Sequence, residues 1–286
     1  MPSPGFTSIL KSFLSRYQTL HLEYPVDMKP RYGFGKPAHP LLQSIISQNR
    51  VAYEALLRKA LTYFDHIIAI PDQGVSKDSL SPNWNNGFLP GLDIIMLYTM
   101  FVSNKPATYV EIGSGNSTKV VAKAKKDFQL STRIISLDPA PRAEIDQLAD
   151  SIYREPFEKT NLYIFTQLRQ GDIVFVDNSH RIFPNSDATV FFMDVLPYLH
   201  PGVIVHVHDV FLPFDYPQEM CERYYSEQYA LAAFLMANPG KFHTIMPNYY
   251  VSEDQELNKI LNPIWEHPSM PAVERHGASY WFTING

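Results

Sequence analysis

The stretch Tyr109-Val110-Glu111-Ile112-Gly113-Ser114-Gly115-Asn116-Ser117-Thr118 decides the reading of this chain. A β-branched, apolar run ends at an acid, breaks into a glycine turn and passes into Lys119-Val120-Val121-Ala122-Lys123-Ala124, a helix-compatible segment. That order describes a buried parallel strand, a tight loop, and a helix whose first N–H groups face whatever sits at the strand's end. Gly113 and Gly115 let the backbone turn sharply and approach a ligand. Ser117 or Thr118 is expected to cap the helix. The pattern predicts a nucleotide-type pocket. Thr118 stands where a dinucleotide fingerprint needs a third glycine or alanine, and Glu111 would repel a pyrophosphate. The Gly-Lys-Ser/Thr of a phosphate-binding loop is missing at this site. A carboxylate at position 111 suits a ligand with a positive centre and hydroxyls.

Three further strand tips extend the pattern. Arg133-Ile134-Ile135-Ser136-Leu137-Asp138 is a second apolar strand ending in an acid, stopped by Pro139. In nucleoside-binding α/β folds an acid at this place accepts hydrogen bonds from ribose hydroxyls. The competing role for Asp138 is to cap the Pro139-Ala140-Pro141-Arg142 turn. The spacing from Glu111 leaves room for one crossover helix between adjacent parallel strands. Asp172-Ile173-Val174-Phe175-Val176 reads as buried β and ends at Asp177-Asn178-Ser179-His180. Gly202-Val203-Ile204-Val205-His206-Val207 reads the same way and ends at His208-Asp209. Ligands of an open parallel sheet lie beyond the carboxyl ends of its strands. Asp177, His180, His208 and Asp209 are therefore expected on one rim with Glu111 and Asp138. Oxygen ligands from Asp177 and Asp209 suit Mg²⁺, and an imidazole from His208 shifts the preference towards Mn²⁺, Fe²⁺ or Zn²⁺. His180 is placed to be a general base with a pKa near neutrality. The plainer alternative is a hydrogen-bonded histidine–aspartate pair that orders a loop. His206 falls inside its strand and is expected to be a satisfied core histidine.

The E-x-G-x-G pattern at Glu111, Gly113 and Gly115 resembles motif I of class I S-adenosylmethionine (SAM)-dependent methyltransferases. Asp-x-x-His at Asp177 and His180, with His208-Asp209 after the next strand, resembles the metal-dependent macrolide-sugar O-methyltransferases and the related cephalosporin-hydroxylase-like group. The resemblance covers roughly residues 105–286 and implies a Rossmann-like class I methyltransferase fold. That fold is a mostly parallel seven-stranded α/β sheet with helices on both faces, its last strand antiparallel between its neighbours. SAM would bind over Gly113, Ser114, Gly115 and Ser117, with Glu111, Asp138 and Asp177 facing it. In that family the strand-four aspartate and two acids after strand five hold Mg²⁺ and the histidine deprotonates an acceptor hydroxyl. Carried over by motif, Asp177 and Asp209 are metal ligands and His180 is the catalytic base; with His208 they form the candidate site for Mg²⁺ or Mn²⁺. The chain departs from the family at His208, where the pattern has glutamate. Other enzymes on the same fold, hydroxylase-like or aminopropyl-transferring, and a non-catalytic SAM-binding module are the competing readings. A nicotinamide oxidoreductase is disfavoured by Thr118 and Glu111.

Composition agrees with a soluble enzyme, and the resemblance implies a small-molecule acceptor. The chain has 286 residues, 45% of them hydrophobic, enough for one large core or a core with a smaller cap. Lys+Arg of 24 against Asp+Glu of 29 gives a net charge of −5, which argues against nucleic acid as a partner. Lys123-Ala124-Lys125-Lys126 reads as a solvated helix face. One cysteine, Cys221, excludes an intramolecular disulfide and suits a reducing compartment. No stretch reaches the apolar length of a membrane span and no leader is evident, so a cytoplasmic protein is expected.

Residues 1–105 show no parallel-strand pattern and read as a helical N-terminal extension, covering the site or forming a homodimer face, ahead of a catalytic domain over 106–286. Within it, residues 41–70 carry apolar side chains at helical spacing, including Ile45, Ile46, Leu56, Leu57 and Leu61. A polar, turn-rich connection over 71–86 precedes a buried helix at 92–101. Trp84-Asn85-Asn86-Gly87 is read as a surface turn in preference to part of an acceptor pocket. The proline-stiffened loop at 210–217 is where acceptor specificity is expected. Residues 222–236 read as an aromatic helix, 242–246 and 279–284 as the last two strands, and 248–277 as an irregular excursion holding Pro263, Pro268 and Pro271.

Overall fold

The computed structural model describes residues 20, 22–72, 78–141, 143–270 and 272–286. Residues 1–19 of the expected extension, part of the 71–86 connection, Arg142 and Pro271 lie outside the described residues. Helices of eight or more residues are α1 (Pro40–Ser47), α2 (Arg50–Leu61), α3 (Gly91–Asn104), α4 (Asn116–Asp127) and α5 (Glu227–Ala237). The strands are β1 (Thr108–Ile112), β2 (Arg133–Leu137), β3 (Ser151–Tyr153), β4 (Ile173–Val176), β5 (Ile204–His208), β6 (Phe242–Pro247) and β7 (Ser279–Ile284).

The seven strands form one sheet in the order β3-β2-β1-β4-β5-β7-β6. β1 pairs in parallel with β2 and β4, and β4 in parallel with β5. β7 runs antiparallel between β5 and β6. This is the Rossmann-like class I methyltransferase fold that the motifs imply. The short β3, which pairs with β2, lacks a run of apolar residues and was not legible in the sequence. β1, β4 and β5 are buried along nearly their whole length, as central parallel strands must be when both faces are covered.

One hydrophobic core runs from Leu42 to Ile284 and joins the N-terminal helices to the sheet. α3 is buried on every side, from Leu92 to Val102, and Asp93 is the acid inside that apolar helix. α4 is amphipathic. Val120, Val121 and Ala124 face the core, while Lys123 pairs with Asp127 at 2.6 Å beside Tyr98 of α3, and Lys125 pairs with Asp150 at 2.9 Å. The predicted 222–236 helix is broken: Gln218–Glu222 is a separate short turn of helix, and α5 begins after Ser226. Short helices such as Asn248–Glu253 and Asn262–Trp265 occupy the expected irregular excursion. Among the described residues no helix is long and apolar enough to cross a membrane.

Candidate active site

The loop after β1 is shaped by one close approach. Gly113 has φ of +83°, and a Cβ there would overlap the carbonyl oxygen of Asp177 on the neighbouring β4 tip. Only glycine satisfies both conditions. Gly115 has open space around its Cα and precedes Asn116, the first residue of α4. Helix capping differs from expectation. The N-cap is Gly115, and Thr118 Oγ1 reaches back to accept the Gly115 N–H at 3.1 Å.

Glu111 does not face the cavity as expected. Its carboxylate is fully buried beneath the loop and accepts Ser117 Oγ at 3.0 Å, Tyr109 Oη at 3.3 Å and Thr118 Oγ1. Burial pushes its pKa up to about 7 against the opposing pull of those hydroxyls. Its visible work is to tie β1 to the first turn of α4. The side chain points inward because the strand alternates, a consequence of period-two geometry that the motif alone does not reveal.

Beyond the strand tips lies a cavity of about 310 Å³. Gly113, Ser114, Gly115 and Ser117 form one wall, Asp138 and Pro139 a second, and Asp177 and Ser179 a third. Asp138 accepts the Ser114 N–H and the Ala140 N–H, both at 2.8 Å, so its carboxylate is aimed while each oxygen keeps a further lone pair. The turn-capping role and the cavity-facing role thus coexist. Phe88 and Leu89 close another side. They are positioned by Asn86, whose side-chain oxygen accepts the N–H groups of both residues. Trp84, read from the sequence as part of a surface turn, is fully buried.

Asp177 belongs to the cavity wall and also to a second constellation. Its Oδ1 lies 3.4 Å from His180 Nε2 and 3.6 Å from His208 Nδ1. Asp209 completes the ring with one oxygen 3.4 Å from His180 Nε2 and the other 3.6 Å from His208 Nδ1. The expected gathering of Asp177, His180, His208 and Asp209 on one rim is therefore present. Two outer acids escaped the sequence reading. Glu227, at the start of α5, hydrogen-bonds His180 Nδ1. Asp93 sits 3.4 Å from His208 Nε2, and is itself held by Asn248 Nδ2 at 2.7 Å and the Ala278 N–H at 2.9 Å. An acid inside the apolar run of α3 was the available signal for Asp93. Glu227 reads in sequence as an ordinary first-turn acid.

The electrostatics follow from this enclosure. Burial opposes charge on His180, but Glu227, then Asp209 and Asp177, outweigh it and push its pKa up to about 9. The expectation of a value near neutrality is corrected by the unseen Glu227. His208 is likewise raised, burial being overcome by Asp209, Asp177 and Asp93. His206 goes the other way. Buried, stacked on Trp281 at 3.8 Å and beside His208, it is held neutral. It is a core residue as expected, yet neither nitrogen has a hydrogen-bond partner.

The donor set also bears on a cation. Both nitrogens of His208 are buried without a hydrogen bond, and two imidazoles with two carboxylates are a plausible ligand chemistry for a divalent ion. Among the described residues, however, no group of three or more acidic, histidine or cysteine side chains is arranged to hold a metal ion as it stands. Asp177, His208 and Asp209 stand side by side on the rim, with an oxygen of each acid 3.6 Å from His208 Nδ1. Cys221 is buried with its thiol directed to the Tyr216 carbonyl, in keeping with a structural role.

Residues 110–210 match a family model described as a methyltransferase domain. No curated protein matches the chain. Among solved structures, an SAH-bound methyltransferase, PaMTH1, from Podospora anserina shares 16% identity over 68% of this chain and 78% of its own, with a TM-score of 0.40. An O-methyltransferase from Bacillus cereus in complex with SAH shares 12% identity over 88% of this chain and 94% of its own, with a TM-score of 0.34. Strand order and direction define the fold.

Proposed function

We propose that this protein is a SAM-dependent methyltransferase that transfers the methyl group to a hydroxyl of a small-molecule acceptor. The observation that carries the reading is the double membership of Asp177, which lines the cavity and touches His180 at the same time. SAM bound over Gly113, Ser114, Gly115 and Ser117, with Asp138 on its ribose, would present its methyl group towards that boundary. The methyltransferase-domain match over 110–210 includes both features.

His180 is the proposed general base. Glu227 holds Nδ1, which leaves Nε2 to meet the acceptor hydroxyl, and the carboxylate stabilises the imidazolium that forms. Asp209 and Asp177 flank the same nitrogen and would orient the incoming hydroxyl. Much of the acceleration is positional, since a sulfonium is an activated donor and in-line placement is what remains to be supplied. Calorimetric titration with SAM is the test. One-site binding that is lost in Asp138→Ala supports the reading; a folded protein that binds no SAM overturns it.

A second reading is favoured by His208, whose Nδ1 lies 3.6 Å from an oxygen of both Asp177 and Asp209 without a hydrogen bond to either. Here Asp177, His208 and Asp209 would hold Mg²⁺ or Mn²⁺, and such an ion, when bound, lowers the pKa of a coordinated hydroxyl. Titration with Mn²⁺ alone, followed by calorimetry, separates the two readings.

A further inference from the structure

Next to His180 the surface carries an electrostatic arrangement that the proposed chemistry does not use. Tyr225 stacks on the His180 ring, with centroids 4.6 Å apart and planes at 25°. That contact covers one face of the tyrosine. Two guanidinium groups meet the same ring: Arg223 at 4.6 Å from its centroid and Arg181 at 5.1 Å. Arg181 is aimed by its own contacts, Nε donating to the Arg223 carbonyl and Nη1 to the Ser179 carbonyl. Two cations are thereby brought together around a single ring.

Cation–π attraction accounts for one arginine on a tyrosine readily. It accounts less well for two, because the two guanidiniums carry like charge and repel each other. Protein surfaces usually relieve such a pair with a carboxylate. Here, among the described residues, neither Arg181 nor Arg223 makes a salt bridge, and the Arg223 guanidinium donates no hydrogen bond. The four acids of the neighbouring cluster are already engaged with His180 and His208. Burial chiefly raises the pKa of the Tyr225 hydroxyl, with Asp209 and Asp177 adding to it and Arg223 and Arg181 opposing it. Because Tyr225 stacks on His180, the two guanidiniums stand one ring away from the candidate base.

A pair of planar forks with free donors is the arrangement that recognises a carboxylate or phosphate oxygen pair. We propose that Arg181 and Arg223 form a subsite for an oxyanion carried by the acceptor, so that the molecule methylated at a hydroxyl near His180 is itself anionic. This deepens the reading of His180 as the acceptor-activating group and rests on it. The oxyanion is either a carboxylate or a phosphate ester, and the two sources are separated by the probes below.

The test follows the arginine Nε–Hε resonances by NMR while inorganic phosphate, and separately acetate, is added to the full-length protein. Both Arg181 and Arg223 signals should shift together along one saturating curve in the millimolar range, and Arg223→Gln should weaken that binding at least tenfold. Tighter phosphate than acetate assigns a phosphate ester, and the reverse assigns a carboxylate. No saturable shift with either probe, or binding in Arg181→Gln and Arg223→Gln as tight as in the unaltered protein, overturns the subsite. Circular dichroism confirms that these surface variants fold. SAM calorimetry on the same samples reads the donor site separately, so a failure of the methyltransferase reading and a failure of the subsite give different results.

Discussion

At the tips of β1 and β2, the groups facing the cavity are mostly backbone or are braced by neighbouring backbone, as when Asp138 takes the N–H groups of Ser114 and Ala140. At the tips of β4 and β5, the working groups are side chains that brace one another across long stretches of chain. His180 depends on Glu227, and His208 lies against Asp93. The first half of the rim is a local construction that a short motif can encode. The second is a tertiary construction, in which charge is tolerated only because several elements converge on it.

The sharpest way to break the comparison is Gly113→Ala. Its positive φ and the overlap with the Asp177 carbonyl predict a loss of about 3 kcal/mol or more, measured by denaturant unfolding. Gly115→Ala, two residues on in the same loop, should cost less than about 1 kcal/mol because nothing stands near its Cα. Equal effects at the two glycines would remove the close approach of β1 and β4 as the reason for the motif.

On the side-chain half, His180→Ala should reduce turnover on the order of 10²-fold or more while leaving SAM affinity close to that of the unaltered protein. Glu227→Gln should lose much of the same rate, because the imidazole loses the charge that stabilises its protonated form. If Glu227→Gln keeps full activity, the dyad has no part in proton removal.

A gentler effect comes from pH. The folded-state pKa of His180, about 9, lies above its ordinary 6.5. Its contribution to stability is fully present below about pH 6.5 and is lost as pH rises through about 9. Turnover should move in the opposite sense, rising with pH towards about 9 as the base loses its proton. Glu227→Gln should shift that rise to lower pH. A rate profile that does not move in this variant would separate the titrating group from His180.

Asn86→Ala frees the turn carrying Phe88 and Leu89 without touching the rim itself. A loss of roughly 1–3 kcal/mol in stability, from buried N–H groups left without an acceptor, would be read by thermal unfolding. SAM affinity should fall only a few-fold.

How much of this was legible in the sequence follows the same division. The central strands and the acid at each tip could be read from apolar runs and turn residues, while the antiparallel last strand was implied by the resemblance of the motifs to class I methyltransferases. So could the meeting of Asp177, His180, His208 and Asp209, because strand tips share an edge. The inward turn of Glu111 was missed, since side-chain direction depends on the register of one strand against its neighbours. Glu227 and Asp93 were missed for a different reason. Each is far from its histidine in sequence, and an acid in a first helical turn or in an apolar helix has no local mark of its partner. Tyr225 reads in sequence as part of an aromatic helix over 222–236, and its stacking on His180 depends on the break before α5, which the aromatic periodicity concealed.

His180 and Asp209 both adopt left-handed backbone conformations, with φ of +62° and +55°. Such conformations cost roughly 1–2 kcal/mol in residues that carry a Cβ. A selection for stability that is blind to chemistry would therefore favour glycine or asparagine at these two positions. Variants recovered from such a screen would keep the sheet and become harder to unfold, yet they would lose the groups that distinguish this rim from an ordinary loop. The two conformations make the site a place where robustness and function pull on the same residues.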